Sequence, residues 1–313
     1  MPYCQDLYNQ ILLDVDGKWI LGSRPLIRYC LAAYLARGHV LIEGPPGTGK
    51  TMTAKLLAHL FSTSFKRIQM TSDMLPGDII GAHIYAPSEQ SFVFIKGPIF
   101  ADIVLADEIN RTPPRTQSAL LEAMEERHVT SEGVEMPLSP DFFVVATQNA
   151  RDFEGTFPLP EAQLDRFLFK LHVNHAAEEV ETEILKKTLA GMLPPASDAL
   201  PKLPLDRKKA DEEIQAVQVD DSLIRYVTSM VQQTRQHPML QWGGSARASI
   251  AFVKCSRVLA AMEGRDFVIP DDIKDVTVPI LSHRIRLTPE AQISDLTEQH
   301  IIDEIVQQAA FPQ

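Results

Sequence analysis

The chain has 313 residues, of which 45% are hydrophobic and 23% are charged, and its formal net charge is −11. This size and mixture are typical of a globular protein with one large domain or two ordinary ones. The negative charge argues against broad affinity for nucleic acid, because such affinity depends on clustered lysine and arginine. No stretch approaches the roughly eighteen apolar residues of a membrane span. The first residues also lack the pattern of an export signal, so we expect a cytoplasmic protein without membrane insertion.

Apolar, β-branched segments alternate with helical patterns through the first half of the chain. These segments are residues 40–42, 65–69, 103–106, 142–147 and 167–173. The alternation predicts an α/β fold in which crossover helices flank a parallel sheet. The helical pattern at 116–126 suits a crossover, because Leu120, Leu121 and Met124 form one apolar stripe.

Two segments interrupt this alternation. Residues 72–98 contain an alternating apolar run at 92–95 between prolines and glycines, which predicts a hairpin or a short helix with a strand. Residues 128–138 turn at Glu132-Gly133, which predicts a second, shorter hairpin. Excursions of this kind often carry contacts to partners.

The second half of the chain has a different character. A proline-rich stretch at 191–205 indicates a linker or surface loop. Helical patterns at 221–236, 245–262 and 270–282 begin at capping residues, with no strand pattern between them. We therefore predict an α/β domain at residues 1–175, followed at 176–313 by a linker and a small all-helical domain.

A glycine-rich loop follows the first apolar strand and precedes a helical stretch at 52–60. Its sequence is Gly44-Pro45-Pro46-Gly47-Thr48-Gly49-Lys50-Thr51. This is the pattern of a P-loop, whose backbone N–H groups and helix start surround phosphate. Lys50 is expected to reach the β- and γ-phosphates, and Thr51 to offer its hydroxyl to Mg²⁺. The loop thus predicts bound ATP and Mg²⁺, with Met52 at the end of the binding segment.

Polar residues follow two of the later strands. Asp107 and Glu108 come directly after 103–106, and Asn149 follows 142–147. Ligands bind beyond the carboxyl ends of parallel strands, so these groups should lie near the P-loop. We expect Asp107 to hold Mg²⁺ through water, Glu108 to accept a proton from the attacking water, and Asn149 to orient that water.

Two arginines stand near helix ends. Arg166 stands at the end of a short helical pattern, in Leu164-Asp165-Arg166-Phe167, and Arg247 stands at the start of the helical pattern that follows Gly243-Gly244. Guanidinium suits a phosphoryl transition state because its charge is fixed and its donors form a planar fork. Taken singly, each arginine is more typical of a surface ion pair than of a catalytic group.

In their order along the chain, these motifs resemble those of AAA+ ATPases of the MoxR family. The resemblance spans about residues 20–287 and rests on the P-loop and on the segments 107–111, 146–149, 161–167 and 243–248. It implies a P-loop AAA+ core followed by a helical lid, with Asn149 as sensor 1, Arg166 as an arginine finger for a neighbouring subunit, and Arg247 as sensor 2. Ile20, Leu21 and Gly22 resemble the segment that packs against adenine, although Ser23 replaces the family's usual glutamine.

The same resemblance implies an activity and partners. Family members form hexameric rings that hydrolyse ATP to ADP and phosphate, and they act as chaperones on partners that typically carry a von Willebrand factor A domain. A motor subunit of a metal-chelatase-like complex is an alternative. A nucleic-acid motor is disfavoured by the net charge and by Glu132 and Glu135 in the second hairpin. A scaffold without catalysis is disfavoured by the complete set of polar groups.

Overall fold

The computed structural model describes residues 2–15, 24–61, 63–88, 90–149, 155–191 and 202–309. Contacts divide the chain into two compact units, which are described separately. The sheet unit contains Leu12–Phe167 and Leu171–Pro204, and the helical unit contains Met1–Ile11, Leu168–Lys170 and Leu205–Gln313. Among the described residues, none of the helices combines the length and the hydropathy that a membrane span requires.

The elements of the first half alternate as predicted. In chain order they are α1 (Tyr3–Val15), α2 (Arg24–Leu35), β1 (Val40–Glu43), α3 (Lys50–Leu60), β2 (Phe65–Gln69), α4 (Pro76–Ile80), β3 (Gly81–Ala86), β4 (Ser91–Lys96), β5 (Ile103–Asp107), a 3₁₀ turn (Ile109–Arg111), α5 (Pro114–Glu126), β6 (His128–Ser131), β7 (Val134–Pro137), β8 (Phe143–Gln148), α6 (Glu161–Leu164) and β9 (Phe169–His172). The five-stranded sheet has the order β2-β5-β8-β1-β9. The β2–β5, β5–β8 and β8–β1 pairs are parallel, which confirms the predicted parallel sheet.

The core of the sheet unit forms between the central strands and α5. The side chains of β5 are buried along its whole length, as are the first five residues of β8. Leu120, Leu121 and Met124 of α5 join this core, which confirms the apolar stripe predicted for that helix. A continuous apolar strand flanked by an amphipathic helix is the expected result when a parallel sheet is covered by helices.

A buried histidine joins the start of β1 to this core. The N–H of Val144 donates to Nδ1 of His39 at 3.0 Å, and Nε2 lies 3.1 Å from the carbonyl oxygen of Met124. A ring with this pair of partners is neutral and carries its proton on Nε2. Burial, and secondarily the charge of Arg127, lowers the pKa of His39 to about 3.

This lowered pKa predicts a loss of stability in acid. His39 stays neutral in the folded protein, whereas in the unfolded chain it gains a proton below about pH 6.5. Its contribution is therefore complete above that pH and is lost as the pH falls toward the folded value. In urea unfolding between pH 6 and pH 4, the wild type should lose about 1.4 kcal/mol per pH unit more than a His39→Gln variant. Equal pH slopes in the two proteins would contradict a neutral His39.

The two predicted excursions are hairpins. In the first, α4 leads into the antiparallel pair β3–β4, and in the second β6 pairs with β7 around Glu132 and Gly133, whose φ values are 51° and 80°. Both predictions are confirmed. The first hairpin exposes large apolar side chains, with Tyr85 50% and Phe92 69% exposed.

The second half is mainly helical. Its elements are α7 (Glu178–Leu189), α8 (Arg207–Ala216), α9 (Asp221–Gln236), β10 (Leu240–Trp242), α10 (Ala246–Met262), α11 (Pro270–Leu281), β11 (Arg286–Leu287), α12 (Pro289–Ile293) and α13 (Glu298–Gln308). The prediction that this half has no strand is wrong, because β10 and β11 form an antiparallel pair. These strands are too short for a period-two pattern. They are joined by contacts distant in sequence, such as the Arg286 guanidinium 4.9 Å from the Trp242 ring.

The two compact units divide the chain at several points, and the predicted domain boundary at residue 175 stays a prediction. The first helix begins in the helical unit, where the backbone N–H groups of Tyr3 and Cys4 donate to the carboxylate of Glu213 at 2.6 and 3.2 Å. Helix α7 groups with the sheet unit instead. Hydrogen bonds across more than two hundred residues cannot be recognised from composition, so the sequence pattern does not predict that the first helix contacts α8.

Candidate nucleotide-binding site

The P-loop connects β1 to α3, as its sequence predicts. Gly44 is required by close packing, because a Cβ atom there would lie 2.3 Å from the carbonyl oxygen of Val173. Gly49 precedes α3 with φ 82°, a conformation that glycine adopts without strain. No side chain caps the start of α3, so backbone N–H groups of its first turn remain available to an anion.

Lys50 folds back over this loop. Its Nζ donates to the carbonyl oxygens of Gly44 at 2.8 Å and Pro45 at 2.6 Å. Burial lowers the pKa of Lys50, while the charges of Asp107 and Glu108 act in the opposite direction. The ammonium group therefore lies inside the curve of the loop, with the two carboxylates close enough to influence it.

The carboxylates lie where β5 ends, and Thr147 of β8 holds both residues. The hydroxyl of Thr147 donates to Oδ1 of Asp107 at 2.6 Å and accepts the backbone N–H of Glu108 at 2.9 Å. Glu108 has φ 61° and ψ 51°, a left-handed conformation that costs a non-glycine residue on the order of 1 kcal/mol. The bond to Thr147 thus stabilises a strained backbone conformation at the end of β5.

Sequence reasoning missed two residues of the edge strand β2. Nε and Nη2 of Arg67 lie 3.1 and 2.7 Å from Oδ2 of Asp107, and Nε2 of Gln69 donates to Oε2 of Glu108 at 2.9 Å. The only signal was that polar residues alternate with Ile68 at the end of a strand. This pattern predicts a contact with Asp107 and Glu108 only once β2 is known to pair with β5.

One cavity of about 450 Å³ brings these groups together. Its lining consists of Gly44, Pro46, Gly47, Thr48, Gly49, Lys50, Thr51, Met52, Lys55, Arg67, Gln69, Asp107, Glu108, Thr147, Gln148 and Asn149. Pro45 of the predicted loop takes part through its carbonyl bond to Lys50. The predicted adenine segment, Ile20, Leu21 and Gly22, lies outside the described residues.

The two predicted arginines occupy different units. Arg166 follows α6 in the sheet unit, and its Nε lies 2.8 Å from Oε2 of Glu125 on α5. It does not line the cavity of its own chain. Arg247 lies in the first turn of α10 in the helical unit, where its backbone N–H donates to the hydroxyl of Ser245 at 3.1 Å and its side chain is exposed.

The donor set of the cavity fits a nucleoside triphosphate with Mg²⁺. Carboxylate and hydroxyl oxygens, such as those of Asp107 and Thr51, are the ligands that Mg²⁺ accepts from proteins. Lys50 and the N–H groups at the start of α3 supply positive charge to phosphate oxygens. Glu108 and Asn149 add a carboxylate and an amide at the same strand ends, where a water molecule could be bound.

Comparison with known proteins identifies the family. Residues 39–169 match the model of the ATPase family associated with various cellular activities (AAA), and residues 232–305 match the AAA lid domain. Chaperone MoxR1 of Mycobacterium tuberculosis is 40% identical over 304 residues, which cover 94% of this chain and 80% of that protein. The chain belongs to the MoxR family of AAA+ ATPases.

Two further matches extend over the whole of this MoxR-family chain. Protein YeaC of Bacillus subtilis is 44% identical over 319 residues and covers 100% of this chain and 98% of its own length. A crystal structure of a candidate ATPase from Cytophaga hutchinsonii superposes with a TM-score of 0.90 at 35% identity, covering 99% of this chain and 96% of that one. The predicted fold class, a P-loop AAA+ core followed by a lid, is confirmed.

Proposed function

We propose that this chain is a Mg²⁺-dependent ATPase that hydrolyses ATP to ADP and phosphate. The observation that supports this most strongly is the single cavity that gathers Lys50, Thr51, Asp107, Glu108 and Asn149. Mg²⁺, when bound, neutralises charge on the phosphate oxygens. Thr51 and Asp107 are the residues that would hold it.

Each remaining group of the cavity has a role that follows from its chemistry. Lys50 binds phosphate oxygens through its ammonium group, exchanging the loop carbonyls for a stronger acceptor. Glu108 accepts a proton from water, and the amide of Asn149 orients that water without adding charge. Asn110 supports this arrangement, because its Nδ2 donates to the carbonyl oxygen of Asn149 at 3.4 Å and so links the two strand ends.

Arg166 completes the site of a neighbouring subunit in this proposal. Its separation from the cavity of its own chain, and its attachment to Glu125 on α5, support a contribution in trans. A finger supplied by a neighbour makes the subunit interface part of the catalyst. The chain is thus proposed to act as a homo-oligomeric ring, which the family resemblance implies is a hexamer. Arg247 of the helical unit is proposed as the sensor-2 residue.

The ring is proposed to act as a chaperone on a partner protein that carries a von Willebrand factor A domain. The relative named as a chaperone in Mycobacterium tuberculosis supports the first part of this proposal. The exposed apolar side chains of the β3–β4 hairpin, including Phe92 and Tyr85, provide a surface through which a partner could be contacted.

Phosphate release by the purified chain tests the enzymatic part. We expect turnover that requires Mg²⁺ and rises more steeply than linearly with protein concentration, because each site needs two subunits. A Lys50→Ala variant should bind ATP weakly and lose turnover, since it lacks the phosphate-binding cation. Turnover that persists in Lys50→Ala, or its absence from the wild type at every protein concentration, would refute the proposal.

Binding to a candidate partner tests the chaperone part. A von Willebrand factor A protein from the same organism should bind an ATP-loaded Glu108→Gln ring and be released with ADP, because the nucleotide changes how adjacent subunits meet. If binding does not depend on the nucleotide, the ATPase cycle does not control this partner, which would contradict the chaperone proposal. Capture of a tetrapyrrole-binding protein instead would favour the chelatase-like alternative.

A further inference from the structure

Asp107, which is proposed to hold Mg²⁺, already forms an ion pair with Arg67 of the same chain. Oδ2 of Asp107 receives both Nε–H and Nη2–H of Arg67, at 3.1 and 2.7 Å. A carboxylate oxygen offers about two lone-pair positions, so Arg67 occupies those of Oδ2. Oδ1 accepts the hydroxyl of Thr147, a residue that is 1% exposed, in a buried hydrogen bond, so Oδ2 is the more accessible of the two oxygens. Water bound to a metal ion can therefore reach Oδ2 only when Arg67 withdraws.

Arg67 is the partner of Asp107 that can move. Its side chain is 47% exposed and belongs to the edge strand β2, whereas the side chain of Asp107 is 11% exposed at the end of β5. Nη2 of Arg67 also donates to Oε1 of Gln69 at 2.6 Å, and Gln69 in turn donates to Glu108. Withdrawal of Arg67 would free Asp107 and remove one contact that orients the Gln69 amide toward Glu108.

We propose that Arg67 is a displaceable counter-ion that competes with Mg²⁺ for Asp107 and so sets the Mg²⁺ dependence of nucleotide binding. This inference rests on the proposed role of Asp107 in holding Mg²⁺. Without the metal, Arg67 donates two hydrogen bonds to a nearly buried carboxylate, which would otherwise keep only the Thr147 hydroxyl and the nearby charge of Lys50. If Mg²⁺ is bound, its coordinated water and the guanidinium would compete for Oδ2, and displacing the guanidinium would reduce the net binding free energy of Mg²⁺.

The test measures the affinity of a fluorescent, non-hydrolysable ATP analogue in Mg²⁺ and in EDTA. The ratio of the dissociation constant in EDTA to that in Mg²⁺ reports how much the metal strengthens binding. In Arg67→Gln this ratio should rise about threefold or more, because an ion pair of this exposure contributes modestly. Arg67→Lys, which keeps the charge but loses the two-point contact, should give an intermediate ratio.

Lys66→Gln is the matched control, because Lys66 is the exposed neighbour on the same strand and carries the same charge. Its ratio should equal that of the wild type. An unchanged or lower ratio in Arg67→Gln would overturn the inference, and a lower ratio would mean that Arg67 assists the Mg²⁺ complex. The Asp107→Asn variant shows whether a negative result for Arg67→Gln reflects the role of Arg67 or a failure of the proposed role of Asp107. If Asp107→Asn leaves the ratio unchanged, Asp107 does not hold the metal, whereas a ratio near one supports that role whatever Arg67 does.

Discussion

A Glu108→Gln variant is expected to hydrolyse ATP about a hundredfold or more slowly than the wild type, because the amide cannot accept the proton of the attacking water. Its ATP affinity should stay within about threefold, since binding depends on the P-loop and on the acid that precedes Glu108. The variant should also keep its backbone position, because the N–H of residue 108 still donates to Thr147 and the new amide oxygen can accept from Gln69. Phosphate release and equilibrium binding of ATP measure the two effects separately.

Glu135→Gln is the control for the charge change. Glu135 lies exposed on β7 of the second hairpin and does not line the cavity, so its replacement should leave turnover unchanged. Normal turnover in Glu108→Gln would mean that another group accepts the proton. Loss of both binding and turnover would instead point to a structural role for the carboxylate.

An Arg166→Ala variant is expected to lose turnover by about a thousandfold while retaining ATP binding, because the finger acts only on the charge of the transition state. Mixing it with Glu108→Gln should restore activity. In a ring assembled at random from equal amounts, about one interface in four pairs an intact Glu108 with an intact Arg166 from the neighbour. Phosphate release by the mixture, compared with each variant alone, measures this recovery.

The same experiment distinguishes a finger in trans from one in cis. If Arg166 acted in its own subunit, neither variant would contain a complete site and the mixture would stay inactive. Glu125→Gln controls for the broken ion pair, since it removes the partner of Arg166 at 2.8 Å but keeps the guanidinium. We expect Glu125→Gln to retain turnover. If it is inactive, the lost turnover of Arg166→Ala would be explained by the broken ion pair with Glu125 and not by the missing guanidinium.

Much of the fold and part of the site could be predicted from local patterns. The P-loop is a continuous motif whose glycines, lysine and threonine are required by one loop, so Gly44 through Thr51 are predicted as a phosphate-binding loop without the tertiary structure. Asp107 and Asn149 are predicted for the same site because strand ends are recognisable from apolar runs, and parallel strands present their ends on one side. Both hairpins were predicted for a similar reason, since turn residues such as Glu132 and Gly133 are adjacent in sequence.

Other features depend on which elements lie side by side. Arg67 and Gln69 belong to the site only because β2 pairs with β5, in the register that sets Gln69 opposite Asp107. The attachment of Arg166 to Glu125 and the pairing of β10 with β11 are likewise contacts between distant parts of the chain. No periodicity carries such information, because a strand has the same pattern whatever strand lies beside it.

The amino-acid sequence by itself determined the P-loop, the acidic pair at 107 and 108, and membership of the MoxR family, since each depends on short continuous motifs in a recognisable order. The tertiary structure alone decided which charges meet. In the folded chain Arg67 pairs with Asp107, Gln69 donates to Glu108, and Glu125 pairs with Arg166. The physical reason is that hydrogen bonds and ion pairs act over a few ångströms, and only folding brings residues forty positions apart within that range.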